Sequence, residues 1–205
     1  MSNSQEKTDF DESRLVASLQ AGEEWAYRLL VAHYKQRLFK LAYGIVQEEE
    51  EALDIVQDVF IKAFENIGRF RAEAKLSTWL HRITVNQSLN WKRRWKRRLR
   101  WHHKPLERED VSEYPELKSE RYAPDQLHNE KLLARAFEKA LRALPDQART
   151  VYVLREAEGL TYDEIAQVLG IKRGTVSSRL FHARERLKTH LEQHLDRRVT
   201  THHEK

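Results

Sequence analysis

Cysteine is absent from all 205 residues. That excludes disulfides, cysteine zinc sites and thiol redox sensing within the chain. Glycine and proline are scarce, at six and four, so little of the sequence reads as turn-rich β structure. No run of about 18 apolar residues occurs, so no segment reads as a membrane span. The first residues are polar and acidic, without the apolar stretch of a secretory signal, and the cytoplasm is the expected compartment. A nucleophile–base pair, a phosphate-binding glycine loop and an H-E-x-x-H helix are also missing. An enzyme reading therefore has little to stand on, and no cofactor, metal or small-molecule substrate is expected. The acids Glu48–Glu51 lack metal-ligand spacing and fit a solvated turn or a helix N-terminus, where they oppose the macrodipole favourably. Used instead in a nuclease, they predict divalent-metal-dependent cleavage.

What the chain has is charge at helical spacing. Charged residues make up 34%, with a net charge of +5 and a pI near 9.4. The basic excess favours an anionic partner without choosing between nucleic acid and membrane. Apolar residues recur with helical period almost throughout. The pattern predicts an all-α protein of two small helical domains joined by a flexible acidic linker. The first domain covers 1–102, the linker 103–127, the second domain 128–198 and a frayed tail 199–205. Three of the four prolines, Pro105, Pro115 and Pro124, fall in or beside the linker.

In the first domain, a short helix buries Leu15, Val16 and Leu19. A longer one turns Trp25, Leu29, Leu30, Tyr34, Leu38, Leu41, Ala42 and Ile45 inward, with a possible break near His33. A third, over 51–67, packs Leu53, Val56, Val59, Phe60, Ala63, Phe64 and Ile67. Its other side carries Asp54, Asp58 and Glu65, with Gln57, Ile61 and Lys62 beside them. An apolar Ile61 among acids has the composition of a protein-binding surface. A loop over 68–77 leads to a helix that Ser77 or Thr78 would cap. From Ser88 to Lys104 there is no acid, and Trp91, Trp95 and Trp101 alternate with basic residues. Three readings compete here: phosphate contact with aromatic platforms for unstacked bases, a membrane-surface or calmodulin-target helix, and a solvated basic face with its tryptophans buried.

The second domain has a helix turning Leu132, Leu133, Ala136, Phe137, Ala140 and Leu141 inward, then a helix opened by Pro145. Next comes a helix-turn-helix. Thr161 and Glu164 form a capping box, Gly170 sits where a left-handed C-cap is wanted, and a second helix starts near Lys172–Arg173. There Val176, Leu180, Ala183 and Leu187 share one face. The opposite face shows Ser178, Phe181, His182 and Glu185, flanked by Arg173 and Ser177. Small polar groups with one aromatic suit base edges and a thymine methyl in a major groove.

Three ordered motifs carry a resemblance. Asp54–Ala63 reads D-I-V-Q-D-V-F-I-K-A. Phe70-Arg71 is followed by Ser77-Thr78-Trp79-Leu80-His81-Arg82-Ile83-Thr84-Val85-Asn86. Leu144-Pro145 and Arg149 precede Tyr162–Ala166 and Gly174–Leu180, with Ala183-Arg184 beyond. Together these resemble the extracytoplasmic-function sigma factors of bacterial RNA polymerase, over nearly the whole chain except its ends and linker. The resemblance implies promoter recognition without covalent chemistry. It implies core polymerase as partner, with Asp54, Gln57, Asp58, Ile61 and Lys62 on the β′ coiled coil and the second domain on the β flap. It implies −10 recognition by Phe70, Arg71, Lys75, Trp79, Asn86 and Asn90, with Arg93, Arg94 and Arg97 on phosphates. It implies −35 recognition by Arg173, Thr175, Ser177, Ser178, Arg179, Phe181 and His182. A membrane-bound anti-sigma factor is the further partner it implies. Many relatives carry Arg where this chain has Ser177 and His182, so groove docking carries over but a particular −35 sequence does not. A stand-alone helix-turn-helix regulator is the competing reading; it would not need Asp54, Gln57 and Ile61 on an exposed face.

Overall fold

The computed structural model describes residues 12–101 and 124–201, and every regular element within them is helical. The helices are α1 (Glu12–Gln20), α2 (Glu24–Val46), α3 (Glu49–Asn66), α4 (Leu76–Trp101), α5 (Pro124–Ala143), α6 (Asp146–Glu156), α7 (Tyr162–Leu169) and α8 (Arg173–Thr201), with a 3-10 turn at Ile67–Arg69. Residues 1–11, 102–123 (nearly all of the expected linker) and 202–205 lie outside the described residues.

The helices α1–α4 form one bundle around Leu15, Leu19, Leu30, Leu38, Val59 and Leu80. Each such side chain contributes about 1.5–3 kcal/mol when fully buried. The helices α5, α6 and α8 close a second, smaller core of Ala140, Leu141, Leu144, Ala148, Ala183 and Leu187. Several boundaries differ from expectation. α2 runs unbroken past His33. α5 starts at Pro124, inside the expected linker, and α8 reaches Thr201, inside the expected tail. Neither Ser77 nor Thr78 caps α4; the N–H of Leu76 donates to the Glu12 carboxylate at 2.6 Å, which ties α1 to α4.

Trp25, Leu29, Leu53, Phe64, Leu133 and Phe137 are exposed, not inward. They lie at the edges of their apolar stripes, and a thin bundle covers only the middle of each stripe.

The two units also pack on each other. Leu41 and Ile45 of α2 and Val85 of α4 are buried in one cluster with Val151, Val153 and Leu154 of α6 and Ile165 of α7. Gly44 permits the approach: a Cβ added there would meet the Val153 side chain at 2.8 Å. Arg149 is 2% exposed and joins both units. Its guanidinium donates to the carbonyls of Leu141, Arg142 and Leu144 around the α5–α6 turn, and to Ile45 at the end of α2. These carbonyls lie at the C-terminal ends of two helices, where intrahelical donors run out.

Candidate nucleic-acid interface

On α3 the side chains advance by roughly 100° per residue, and the exposed ones fall on one continuous arc. Leu53 and Phe64 stand at one edge, Gln57 and Ile61 next, then Asp54, Glu65 and Asp58, with the half-buried Lys62 bordering the far edge. Asp54, Gln57 and Asp58 are exposed, Ile61 is 56% exposed and Phe64 59%. Phe64 leans on Tyr27 with ring centroids 4.7 Å apart. This apolar-plus-acidic strip is held by the buried face of the same helix, Ala52, Ile55, Val56, Val59 and Ala63.

Lys62 stands where the strip meets a second surface. It lines a groove of about 350 Å³ with Asn66, Arg69, Trp79, Ile83, Asn86 and Gln87. It also lines an adjoining groove of about 630 Å³ with Gln87, Asn90, Arg93, Arg94, Lys96 and Arg97. The two share Lys62 and Gln87, making one basic trough along α3 and α4. Asn66, Arg69 and Gln87 were missed by sequence reasoning. Gln87 was detectable, because it lies four residues after Ile83 and three before Asn90 on the same helix.

At the upper end of the trough, Phe70 packs beside Trp79, centroids 5.3 Å apart, and both rest against the first core. The loop between them bends at Ala72, whose φ of +54° is left-handed. Arg71 and Lys75 are exposed there. At the lower end the basic helix presents two faces. Trp91 packs on the first core and stacks on Trp95, centroids 5.5 Å apart and planes 13° from parallel. Arg93, Arg94 and Arg97 are exposed, and Arg93 donates to Asn90 at 2.6 Å.

The helix-turn-helix forms as the sequence prescribes. Glu164 N–H donates to Thr161 Oγ1 at 3.2 Å, and Thr161 N–H donates to Glu164 Oε2 at 2.9 Å. Those bonds to Thr161 hold the Glu164 carboxyl below its ordinary value. Gly170 takes φ +64° and ends α7. On α8, Val176, Leu180, Ala183 and Leu187 are buried. Arg173, Ser177, Ser178 and His182 face solvent, Thr175 and Arg179 are half-buried, and Phe181 is 61% exposed. An aromatic presented so openly costs free energy in water, and it suits a surface that is covered on binding.

Charge is also arranged between the units. The Glu158 carboxylate accepts from Arg37 Nε at 2.5 Å and lies 3.2 Å from His81 Nε2, with Glu158 and His81 side chains both 2% exposed. Burial alone would raise this carboxyl, but the contacts with His81 and Arg37 outweigh it and hold it low. Lys96 and Lys92 of the basic helix approach Asp146 at the start of α6. Burial first, then the Arg149 charge, pull Lys92 down to about 8 against partial compensation from Asp146. Lys75 lies 3.6 Å from Glu164. No periodicity in the sequence signals these pairs, since each joins residues more than 45 positions apart.

A trough of cations and amides beside an acid-and-apolar strip, with a separate helix-turn-helix, is the surface chemistry of an all-helical nucleic-acid-binding protein. The comparisons make this specific. Residues 30–98 match the family model for sigma-70 region 2, and residues 134–187 match that for sigma-70 region 4. The chain is 33% identical over 178 residues to the RNA polymerase sigma-H factor of Pseudomonas aeruginosa, covering 87% of this chain and 92% of that one. It is 34% identical over 181 residues to the ECF RNA polymerase sigma-E factor of Haemophilus influenzae, covering 87% and 94%. Its fold is similar to that of the sigma factor RpoE of Bartonella quintana, solved in complex with the anti-sigma factor NepR, with TM-score 0.65, 25% identity and coverage of 81% and 96%. The chain belongs to the extracytoplasmic-function sigma factors of the sigma-70 family. Membership decides for a transcription initiation factor over a stand-alone regulator.

Proposed function

We propose that the chain divides promoter recognition among the three surfaces just described. The α3 strip of Asp54, Gln57, Asp58 and Ile61 docks on the β′ coiled coil of core polymerase, and region 4 docks on the β flap. The trough holds the −10 element: Phe70, Arg71, Lys75 and Trp79 receive an unstacked base, Asn86 and Asn90 read edges, and Arg93, Arg94 and Arg97 hold phosphates. Unstacking costs a few kcal/mol, which stacking and edge contacts offset. Lys62 is reassigned to this DNA side because it lines the trough. Arg173, Thr175, Ser177, Ser178, Arg179, Phe181 and His182 read the −35 element in the major groove. Region 2 then occupies 1–102 and region 4 128–198, and the chain acts in the cytoplasm without enzymatic chemistry. A neighbour of this fold was solved with an anti-sigma factor, which supports an anti-sigma partner here as well.

The observation that carries this reading is the strip beside the trough: Ile61 is bare among acids on the same helix whose Lys62 faces the cations of α4. Purified chain added to core polymerase is expected to give run-off transcripts from a responsive promoter. Asp58→Arg, a fully surface change, is expected to abolish co-purification with core while leaving the fold intact. Normal transcription by Asp58→Arg refutes the docking face.

A further inference from the structure

The upper groove of the trough is lined along one segment of chain by Lys62, Asn66 and Arg69, in that order. The first step runs along the end of α3 and the second along the 3-10 turn that follows, so each advances about 6 Å. Trp79 and Ile83 of α4 line the same groove.

Asn66 differs from the other amides there in having a fixed direction. Its Nδ2 donates to the Lys62 carbonyl at 2.8 Å. A carbonyl only accepts, so the amino end of the amide is committed. The other end, Oδ1, receives no bond among the described residues. Asn86 and Gln87 also line the groove and have no partner among the described residues, so each can turn either end to a ligand. Lys62 and Arg69 likewise pair with no carboxylate among the described residues. The segment therefore offers a donor, then a fixed acceptor, then a donor.

An unstacked base is read along its Watson–Crick edge. Thymine presents acceptor O4, donor N3–H and acceptor O2, the complement of that order. Guanine matches with O6 and N1–H but sets its amino group against one of the two cations. Cytosine and adenine place a ring acceptor, N3 or N1, against Asn66 Oδ1. Two lone pairs then face each other, and polar groups left unpaired on binding are costly. Ile83 suits the thymine methyl. Trp79, with the Phe70 ring centroid 5.3 Å from its own, offers a face for stacking.

We propose that this groove takes one unstacked thymine of the −10 element and that Asn66 selects it: Lys62 and Arg69 donate to O4 and O2, in either order, and Asn66 Oδ1 accepts from N3–H. This rests on the promoter reading above, and it places base choice at the end of α3, beside the loop that receives the base.

The test uses the full chain with core polymerase and a panel of templates in which every −10 position carries each of the four bases in turn. One position is expected to rank thymine first, guanine second, and cytosine and adenine last. Thymine is expected to exceed cytosine there by about 5- to 100-fold in run-off transcript. Asn66→Ala is expected to bring that ratio close to one and to leave preferences at the other −10 positions and at −35 unchanged. Asn66→Asp keeps an acceptor and is expected to keep thymine ahead of cytosine, while total transcript falls with the added negative charge. Each readout is a ratio within one protein sample, so a partial loss of folding does not mimic it. Asn66→Ala lowering all four bases equally would leave Asn66 only its bond at the helix end, and overturns the proposal. A position that Asn66 governs but that prefers cytosine or adenine overturns it too, as does loss of the ratio in Asn66→Asp. If wild type itself gives no core-dependent transcript, the promoter reading falls and the proposal falls with it.

Discussion

Replacing Arg149 by Met removes the one side chain that satisfies carbonyls at the ends of two helices in different units. Four bonds are lost, to Leu141, Arg142, Leu144 and Ile45. At about 1 kcal/mol net apiece the loss is about 4 kcal/mol. Met fills similar apolar volume, so little of this reflects a cavity. The second unit, described over 124–201, has the length of one stable by about 4–12 kcal/mol, so the variant leaves it marginal. All five tryptophans lie at or before residue 101, in region 2. Urea titration followed by far-UV circular dichroism is therefore expected to show an early transition that Trp fluorescence largely misses. Arg149→Lys keeps the charge but not the planar fork and is expected to recover less than half. A loss below about 1 kcal/mol for Arg149→Met refutes the hub role.

Other expectations concern separate surfaces. Phe181→Ala is expected to weaken −35-dependent transcription by about 5- to 100-fold, the worth of one good base contact, and to leave promoters with a scrambled −35 unchanged. Thr161→Ala removes the capping box and is expected to cost about 1 kcal/mol, lowering the melting temperature of region 4 by about 4–8 °C. Lys92 sits at about 8 in the folded chain against 10.5 ordinarily. The folded state therefore binds fewer protons between those values, and this group's contribution to stability rises with pH across that window. Lys92→Met is expected to be more stable than wild type at pH 7, with the advantage shrinking by pH 10; a pH-independent difference contradicts this.

The local signals were legible because each is written within a few residues. Thr161 with Glu164, Gly170 after Leu169, and the four apolar residues Val176, Leu180, Ala183 and Leu187 specify the helix-turn-helix without help from elsewhere. Asp54, Gln57, Asp58 and Ile61 were legible as an exposed strip for the same reason. Lys62 was legible only as the strip's edge, because helical spacing sets it there and only the packing of α4 against α3 turns that edge into a groove wall. Trp25, Leu29 and Phe64 carry the right apolar period but lie where the bundle has no fourth layer to cover them. The docking of the units was beyond reach of pattern reasoning. Arg37, His81 and Glu158 are scattered over more than a hundred positions, and Gly44 looks like an ordinary helix glycine until Val153 is set against it. A sequence with a linker between two cores predicts independent units, and nothing local contradicts that.

The most direct measurement is to map the 5′ ends of transcripts made by core polymerase on genomic DNA with and without the purified chain. The expected result is a set of new start sites that share two upstream elements, and whose appearance requires Asp58. Start sites that do not change when the chain is added would contradict the account at its centre.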